Sequence, residues 1–296
     1  MSVKEKVVFN LIGGVGNQLF ILVAARYLKQ ELKYDYELLA PPKRSKSGHK
    51  DSTIASLIGT DDFIRYRKKK LSIKNKVLSQ LKIGTTEIND ESKRFSYQPK
   101  NGEIGFDKDL LLVKEGTFID GFFQTWRYFT NLKNSKEQEF KLKKPSRWYL
   151  EMKSRIEVEK PIVMHVRRGD YEASGLGVLS NDYYKESIIM LSNYMRVEQI
   201  WIFSDEPQKA REELELLNLG KISYIIPPKG SSAVESLLLM AEAEAIVIAN
   251  STFSWWSATL SKKGTMVICP DKWFQNAQDP RDLIPPHWTR IPSLWK

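Results

Sequence analysis

A single cysteine, Cys269, occurs in 296 residues, which excludes a disulfide within the chain and a cysteine-built zinc site and fits a reducing compartment. Histidine is nearly as scarce. His49, His165 and His287 lie far apart and offer no metal-ligand spacing. Long hydrophobic runs are missing too: none approaches the roughly 18 residues of a membrane span, and the opening M-S-V-K-E-K puts charge where a signal peptide needs its apolar core. The expectation is a soluble, cytoplasmic protein.

There is enough apolar material to fold, with 42% hydrophobic and 11% aromatic residues and no low-complexity tract. The length is about twice the usual ~150 residues of a domain, so two domains are expected. Charge divides the chain in the same way. Residues 1–160 carry 32 Lys+Arg against 20 Asp+Glu, a net +12, and residues 161–296 carry 14 against 16, a net −2. The basic excess peaks in R-Y-R-K-K-K from Arg65 and continues to Lys82. Such a segment suits an anionic partner, a membrane surface before a nucleic acid, or is simply a solvated helix face. No nucleic-acid-reading motif accompanies it, so no nucleic-acid partner is expected.

The most informative stretch is P-I-V-M-H-V-R-R-G-D-Y, from Pro161 to Tyr171. A short apolar run reads as a buried strand, and it ends on two arginines, a glycine and an aspartate. In open α/β sheets ligands bind beyond the carboxyl ends of strands. Guanidinium forks at that place suit a phosphate or diphosphate; the competing reading is an ion pair with Asp170.

The first half opens with a similar device. Residues 6–12 read as a strand, Gly13-Gly14-Val15-Gly16 as a turn, and residues 17–33 as a helix. A dinucleotide fingerprint fails here, because Leu19 occupies the third glycine position and the strand at 36–40 runs into Pro41-Pro42 with no acidic tip. The glycines still allow backbone N–H groups to approach an anion or a sugar. Residues 41–101 carry little pattern beyond short helical pieces at 52–58 and 71–81. A strand is expected at 117–123, followed by Gln124 and Trp126 as candidates for a sugar-binding wall, with packing into the core the competing role for most of the aromatics there. Asp107-Lys108-Asp109 matches the D-x-D of metal-dependent glycosyltransferases only by chance of composition.

From Pro161 onward strands near 162–166, 199–203, 222–226, 245–248 and 265–269 alternate with helices, which implies a parallel sheet covered on both faces. Two strand tips stand out. Ser204-Asp205-Glu206 is acidic and suits a base, a ribose or a helix cap, and Asn250-Ser251-Thr252-Phe253-Ser254 offers hydroxyls at a helix start. At least one of the adjacent Trp255 and Trp256 belongs in the core. The fold class expected is α/β, with two Rossmann-like domains, 1–158 and 159–296, facing a central cleft.

Taken in order, G-G-V-G-N-Q-L-F (from Gly13), H-V-R-R-G-D-Y (from His165), F-S-D-E-P (from Phe203), N-S-T-F-S-W-W-S-A (from Asn250) and C-P-D-K-W-F (from Cys269) closely resemble the α-1,2-fucosyltransferases of glycosyltransferase family 11, bacterial members in particular. Ser257 in place of Gly, and Val15 and Leu19 in place of Leu and Met, are conservative departures. The resemblance implies a GT-B architecture and inverting transfer of L-fucose from GDP-β-L-fucose to a galactose 2-hydroxyl, with no metal or other cofactor. It gives Arg167 the β-phosphate, His165 and Asp205 the guanosine, and Ser251, Thr252, Phe253 and Ser254 the diphosphate or fucose. Arg168 and Asp170 would shape the arginine loop, with Arg168 beside the donor. Gly14, Gly16, Asn17 and Gln18 would reach the sugar from the first domain. Asp170, Glu172, Asp120 and Asn17 all stay open as the group that handles the acceptor hydroxyl. The acceptor would be a galactose-terminated oligosaccharide of surface polysaccharide (O-antigen) synthesis, carried on a lipid at the inner face of the plasma membrane, where the segment 65–82 would touch anionic lipid.

Overall fold

Strands that read as unbroken apolar runs pair in parallel and need cover on both faces. The computed structural model describes residues 5–40, 54–57, 64–66, 96–97, 105–133, 140–169, 171, 176–217, 219–280 and 282–296, and it builds two such sheets. The first joins β1 (Val7–Asn10), β2 (Tyr36–Ala40), β3 (Ile64–Tyr66), β4 (Ser96–Tyr97) and β5 (Phe118–Ile119) in the order β3-β2-β1-β5-β4. The second joins β6 (Ile162–Val166), β7 (Gln199–Ser204), β8 (Lys221–Tyr224), β9 (Ala245–Val247), β10 (Met266–Pro270) and β11 (Thr289–Ile291) in the order β11-β10-β9-β6-β7-β8. Every pairing within the two sheets is parallel. This is the GT-B arrangement.

The strand orders locate the crevices. In the first sheet the chain runs outward from β1 to β3, crosses to the other edge at β4 and comes back beside β1 at β5; in the second it runs outward from β6 to β8 and returns at β9. A ligand crevice opens at each such reversal, beyond the strand ends. One crevice is flanked by the segments after β1 and β5, and the other by those after β6 and β9.

Helix α1 (Val15–Leu32) follows β1 and ends at Lys33, which takes the left-handed conformation at φ 61°. Short α2 (Trp126–Thr130) follows β5. Helix α3 (Arg147–Glu159) is capped by Ser146, whose Oγ accepts from the Tyr149 N–H at 3.1 Å, and it stops at left-handed Lys160 before Pro161. Then α4 (Asn181–Ser192), α5 (Pro207–Leu214), α6 (Ala233–Met240) and α7 (Thr252–Thr259) complete the second half.

The strand expected at 117–123 pairs only at Phe118 and Ile119, and beyond it Phe123 turns left-handed at φ 53°. Helix α3, which the division at 158/159 gives to the first domain, makes polar contacts with the second half. Glu235 in α6 accepts from the Ser146 N–H and Oγ at 2.6 and 2.8 Å, Lys153 pairs with Glu242, and Trp201 Nε1 donates to Glu159 at 2.7 Å. Asp107 accepts from the Asp109 N–H at 2.9 Å and caps a 3₁₀ turn. The basic segment 65–82, apart from the β3 backbone, lies outside the described residues, and so does the helical piece at 71–81.

One core spans both halves. Phe20 of α1 sits 4.4 Å from Trp255 and 4.9 Å from Trp256 of α7, centroid to centroid, and both tryptophans are fully buried. The contact closes at Gly16, where a Cβ would lie 2.4 Å from the Thr252 carbonyl carbon and 2.7 Å from the Phe253 nitrogen. Those are backbone atoms and cannot swing aside. Gly16→Ala should therefore lower stability by about 1–3 kcal/mol, the usual cost of overpacking. Chemical denaturation measures the effect; a wild-type midpoint would show that the helices give way freely.

Candidate active site

The two crevices face each other across a cleft of about 600 Å³. Gly14, Gly16, Asn17 and Gln124 line it from the first sheet, and His165, Arg167, Asp205, Ser251, Thr252 and Phe253 from the second. Ten of the residues named from the sequence thus meet in one cavity.

Arg167 leaves the tip of β6 with its side chain 20% exposed, Nε 3.3 Å from Asp205 Oδ2 and its guanidinium 5.2 Å from the Tyr171 ring centroid. Asp205 also accepts from the Arg168 N–H at 3.0 Å. The carboxylate at the tip of β7 therefore braces the arginine loop as well as lining the cleft. Around the guanidinium stand helix starts. Gly14 at the start of α1 has no side chain to cap it, and Ser251 at the start of α7 makes no side-chain cap. The helix dipoles add partial positive charge at both of these uncapped starts.

His165 is 3% exposed and its ring centroid is 5.5 Å from that of Phe253. Its Nδ1 is buried and has no hydrogen-bond partner among the described residues, so a bound group has a polar atom waiting for it. Burial, reinforced by the charge of Arg167, brings the imidazole pKa down from 6.5 to about 3. The folded state holds the neutral ring while the unfolded chain protonates it. Stability from this group is therefore complete above about pH 6.5 and falls as the pH drops toward 3, at up to about 1.4 kcal/mol per pH unit. Urea midpoints at pH 7 and pH 5 should show about 2 kcal/mol of this loss in the wild type and its absence in His165→Asn; equal pH dependence would contradict the assignment.

On the opposite wall Gln124 Nε2 donates to Asn17 Oδ1 at 3.0 Å, which fixes the Asn17 amide at the start of α1. Asp120, just after β5, accepts from Asn10 Nδ2 at 2.8 Å and is not among the cleft-lining residues.

Four residues named for the site do other work. Arg168 is fully buried, donates to Glu213 at 2.7 Å and to the Leu179 carbonyl at 2.9 Å, and does not line the cleft. Gln18 donates to the Gly13 carbonyl at 3.0 Å and accepts from the Ile54 N–H at 3.3 Å, so it shapes the glycine turn from behind. Ser254 is buried and its hydroxyl returns to the carbonyls of Ala249 and Ser251. Trp126 packs against the core and its N–H donates to the Asp282 carbonyl at 3.1 Å. Asp170 and Glu172 lie outside the described residues. The sequence reading missed Phe122, Ser231, Ser232 and Phe274, all on the cleft wall. The rule of strand ends would have found the serines, which sit between β8 and α6.

Comparison with known proteins agrees with this geometry. The model of "Glycosyl transferase family 11" matches residues 7–291. An alpha-1,2-colitosyltransferase of Escherichia coli is 26% identical over 96% of this chain and 98% of its own length. The O-antigen biosynthesis glycosyltransferase WbnK of Escherichia coli is 26% identical over 89% and 93%. A galactoside 2-alpha-L-fucosyltransferase of Caenorhabditis elegans is 25% identical over 68% and 60%. With the family match running from β1 to β11 through every element of the cleft, the chain belongs to glycosyl transferase family 11 and is a glycosyltransferase.

Proposed function

We propose that this protein transfers L-fucose from GDP-β-L-fucose to the 2-hydroxyl of a terminal galactose, with inversion and without a metal, during assembly of bacterial surface polysaccharide. The observation that carries the reading is Arg167, set between the uncapped starts of α1 and α7 in a cleft walled by both sheets. Breaking the bond between sugar and diphosphate builds negative charge on the leaving group. Fixed guanidinium and N–H donors aimed at that charge lower the barrier without reorganising. Asn17, held by Gln124, would orient the acceptor hydroxyl on the opposite side of the anomeric carbon, so attack in line inverts it. The two α-1,2 names among the relatives support the linkage.

Incubation with GDP-fucose and a panel of galactosides, followed by linkage analysis, tests the proposal. An α-1,2-fucosyl product is expected, and transfer to another hydroxyl would overturn the linkage. The colitosyl relative favours a second donor, since colitose is fucose without its 3-hydroxyl. Thermal shifts with GDP-fucose, GDP-colitose, GDP-mannose and UDP-galactose discriminate, because a donor at 100 times its Kd adds about 2.7 kcal/mol.

A further inference from the structure

The cleft crosses five strand ends of the second sheet, and its two extremities differ. Toward β8 the wall is Ile225, Pro227, Ser231 and Ser232, all from the second half. Toward β10 both halves contribute: Phe274 from the second, and Asn17, Phe122 and Gln124 from the first. The latter end is stapled, with the Trp126 N–H on the Asp282 carbonyl at 3.1 Å and Arg127 Nη1 3.2 Å from Asp282 Oδ2. These contacts lay the segment after β5 against the segment after β10.

Each phenyl ring is set by a local device. The carboxylate of Asp279 accepts both the Trp273 and Phe274 N–H groups, at 2.5 and 2.9 Å, while Asn250 Nδ2 donates to the Trp273 carbonyl at 3.2 Å. The Phe274 loop is thereby fixed without help from packing alone. On the other side the left-handed turn at Phe123 buries that ring and leaves its neighbours, Phe122 and Gln124, on the cleft. A bulky residue in this conformation costs on the order of 1–3 kcal/mol, and the cleft wall carries two half-buried aromatics, Phe122 and Phe274, together with the Asn17–Gln124 amide pair.

That combination matches a hexose. One face of galactose presents a patch of C–H groups that gains dispersion against an aromatic ring, and its hydroxyls need amides as partners. We propose that Phe122 and Phe274 form the platform for the acceptor's terminal sugar, and that Asp279 is a positioning residue for Phe274. The assignment rests on the donor reading above, which puts the leaving diphosphate at Arg167 between the two ends.

The test is steady-state kinetics of Phe274→Ala, Phe122→Ala, Asp279→Ala and Asp279→Asn, with GDP-fucose and the galactoside that the wild type uses best, together with the melting shift produced by GDP. For both phenylalanine variants the acceptor KM should rise about tenfold or more while the donor KM and the GDP shift stay within about twofold, the pattern of lost acceptor binding. Asp279→Ala should move the acceptor KM the same way, and Asp279→Asn, which keeps one accepting oxygen, should recover part of it. Phe274→Leu and Phe122→Leu replace any alanine variant that does not fold. An unchanged acceptor KM beside a normal GDP response overturns the platform, as does a donor KM that rises in parallel. A wild-type protein whose melting temperature GDP does not move overturns the donor reading, and the platform falls with it.

Discussion

Arg167→Ala is expected to lower turnover by about 10²–10³-fold, or some 3–4 kcal/mol of barrier, the range found when a preorganised donor to a developing anion is removed. The side chain lines the cleft at the tip of β6 and is braced by Asp205 and Tyr171, so its loss empties no core. The melting temperature should therefore stay near wild type. Arg167→Lys keeps the charge and gives up the planar fork, so it should recover only part of the rate. If the guanidinium acts mainly as the diphosphate loses the sugar, the deficit appears in kcat rather than in donor KM alone. Near-normal turnover in a folded Arg167→Ala protein would remove the guanidinium from the chemistry.

Most of the second half could be read from pattern because its central strands β6, β7, β9 and β10 are nearly continuous buried runs, while β8 and β11 at the sheet edges are partly exposed. β6 is buried at all five positions and pairs on both sides. The site followed from the same rule, since the residues after β6, β7 and β9 had to emerge at one edge. What pattern alone does not reveal is which way a polar side chain turns once it gets there. Gln18 and Asn17 are adjacent at the start of α1, yet one supports the glycine turn from behind and the other faces the cleft. Ser251 and Ser254 differ in the same way, by their place on the helix circumference.

The first half resisted for a different reason. β4 and β5 are two residues each, too short for alternation or run length to register. The left-handed turn at Phe123 has no sequence mark, because glycine rather than phenylalanine is the usual sign of that conformation. The place of α3 is a tertiary matter. Only the contacts of α3 with Glu235, Glu242 and Trp201 show which sheet it serves.

Arg168 is the sharpest case of a residue whose role the sequence could not assign, and its replacement gives the largest expected change in stability. It is fully exposed to protein and not at all to solvent, with Nε 2.7 Å from Glu213, Nη1 on the carbonyls of Leu179 and Arg167, and its guanidinium 5.4 Å from the Tyr184 ring centroid. Glu213 also takes Lys296 at 2.5 Å. Burial by itself would raise the Glu213 carboxyl, but Lys296 and Arg168 together hold it below the usual carboxylate range. Arg168→Ala leaves that carboxylate with one partner and removes the guanidinium from the Leu179 carbonyl, which should cost about 3–5 kcal/mol and lower the melting temperature by on the order of 10 °C. Turnover per folded molecule should fall much less than in Arg167→Ala, because Arg168 reaches the cleft only through the loop backbone. A second variant separates charge from volume. Arg168→Met with Glu213→Leu removes both charges and keeps apolar bulk, so by the behaviour of buried pairs it should regain much of the stability lost in Arg168→Ala. If the double variant were as unstable as the single one, the carbonyl contacts rather than the ion pair would be what the arginine supplies.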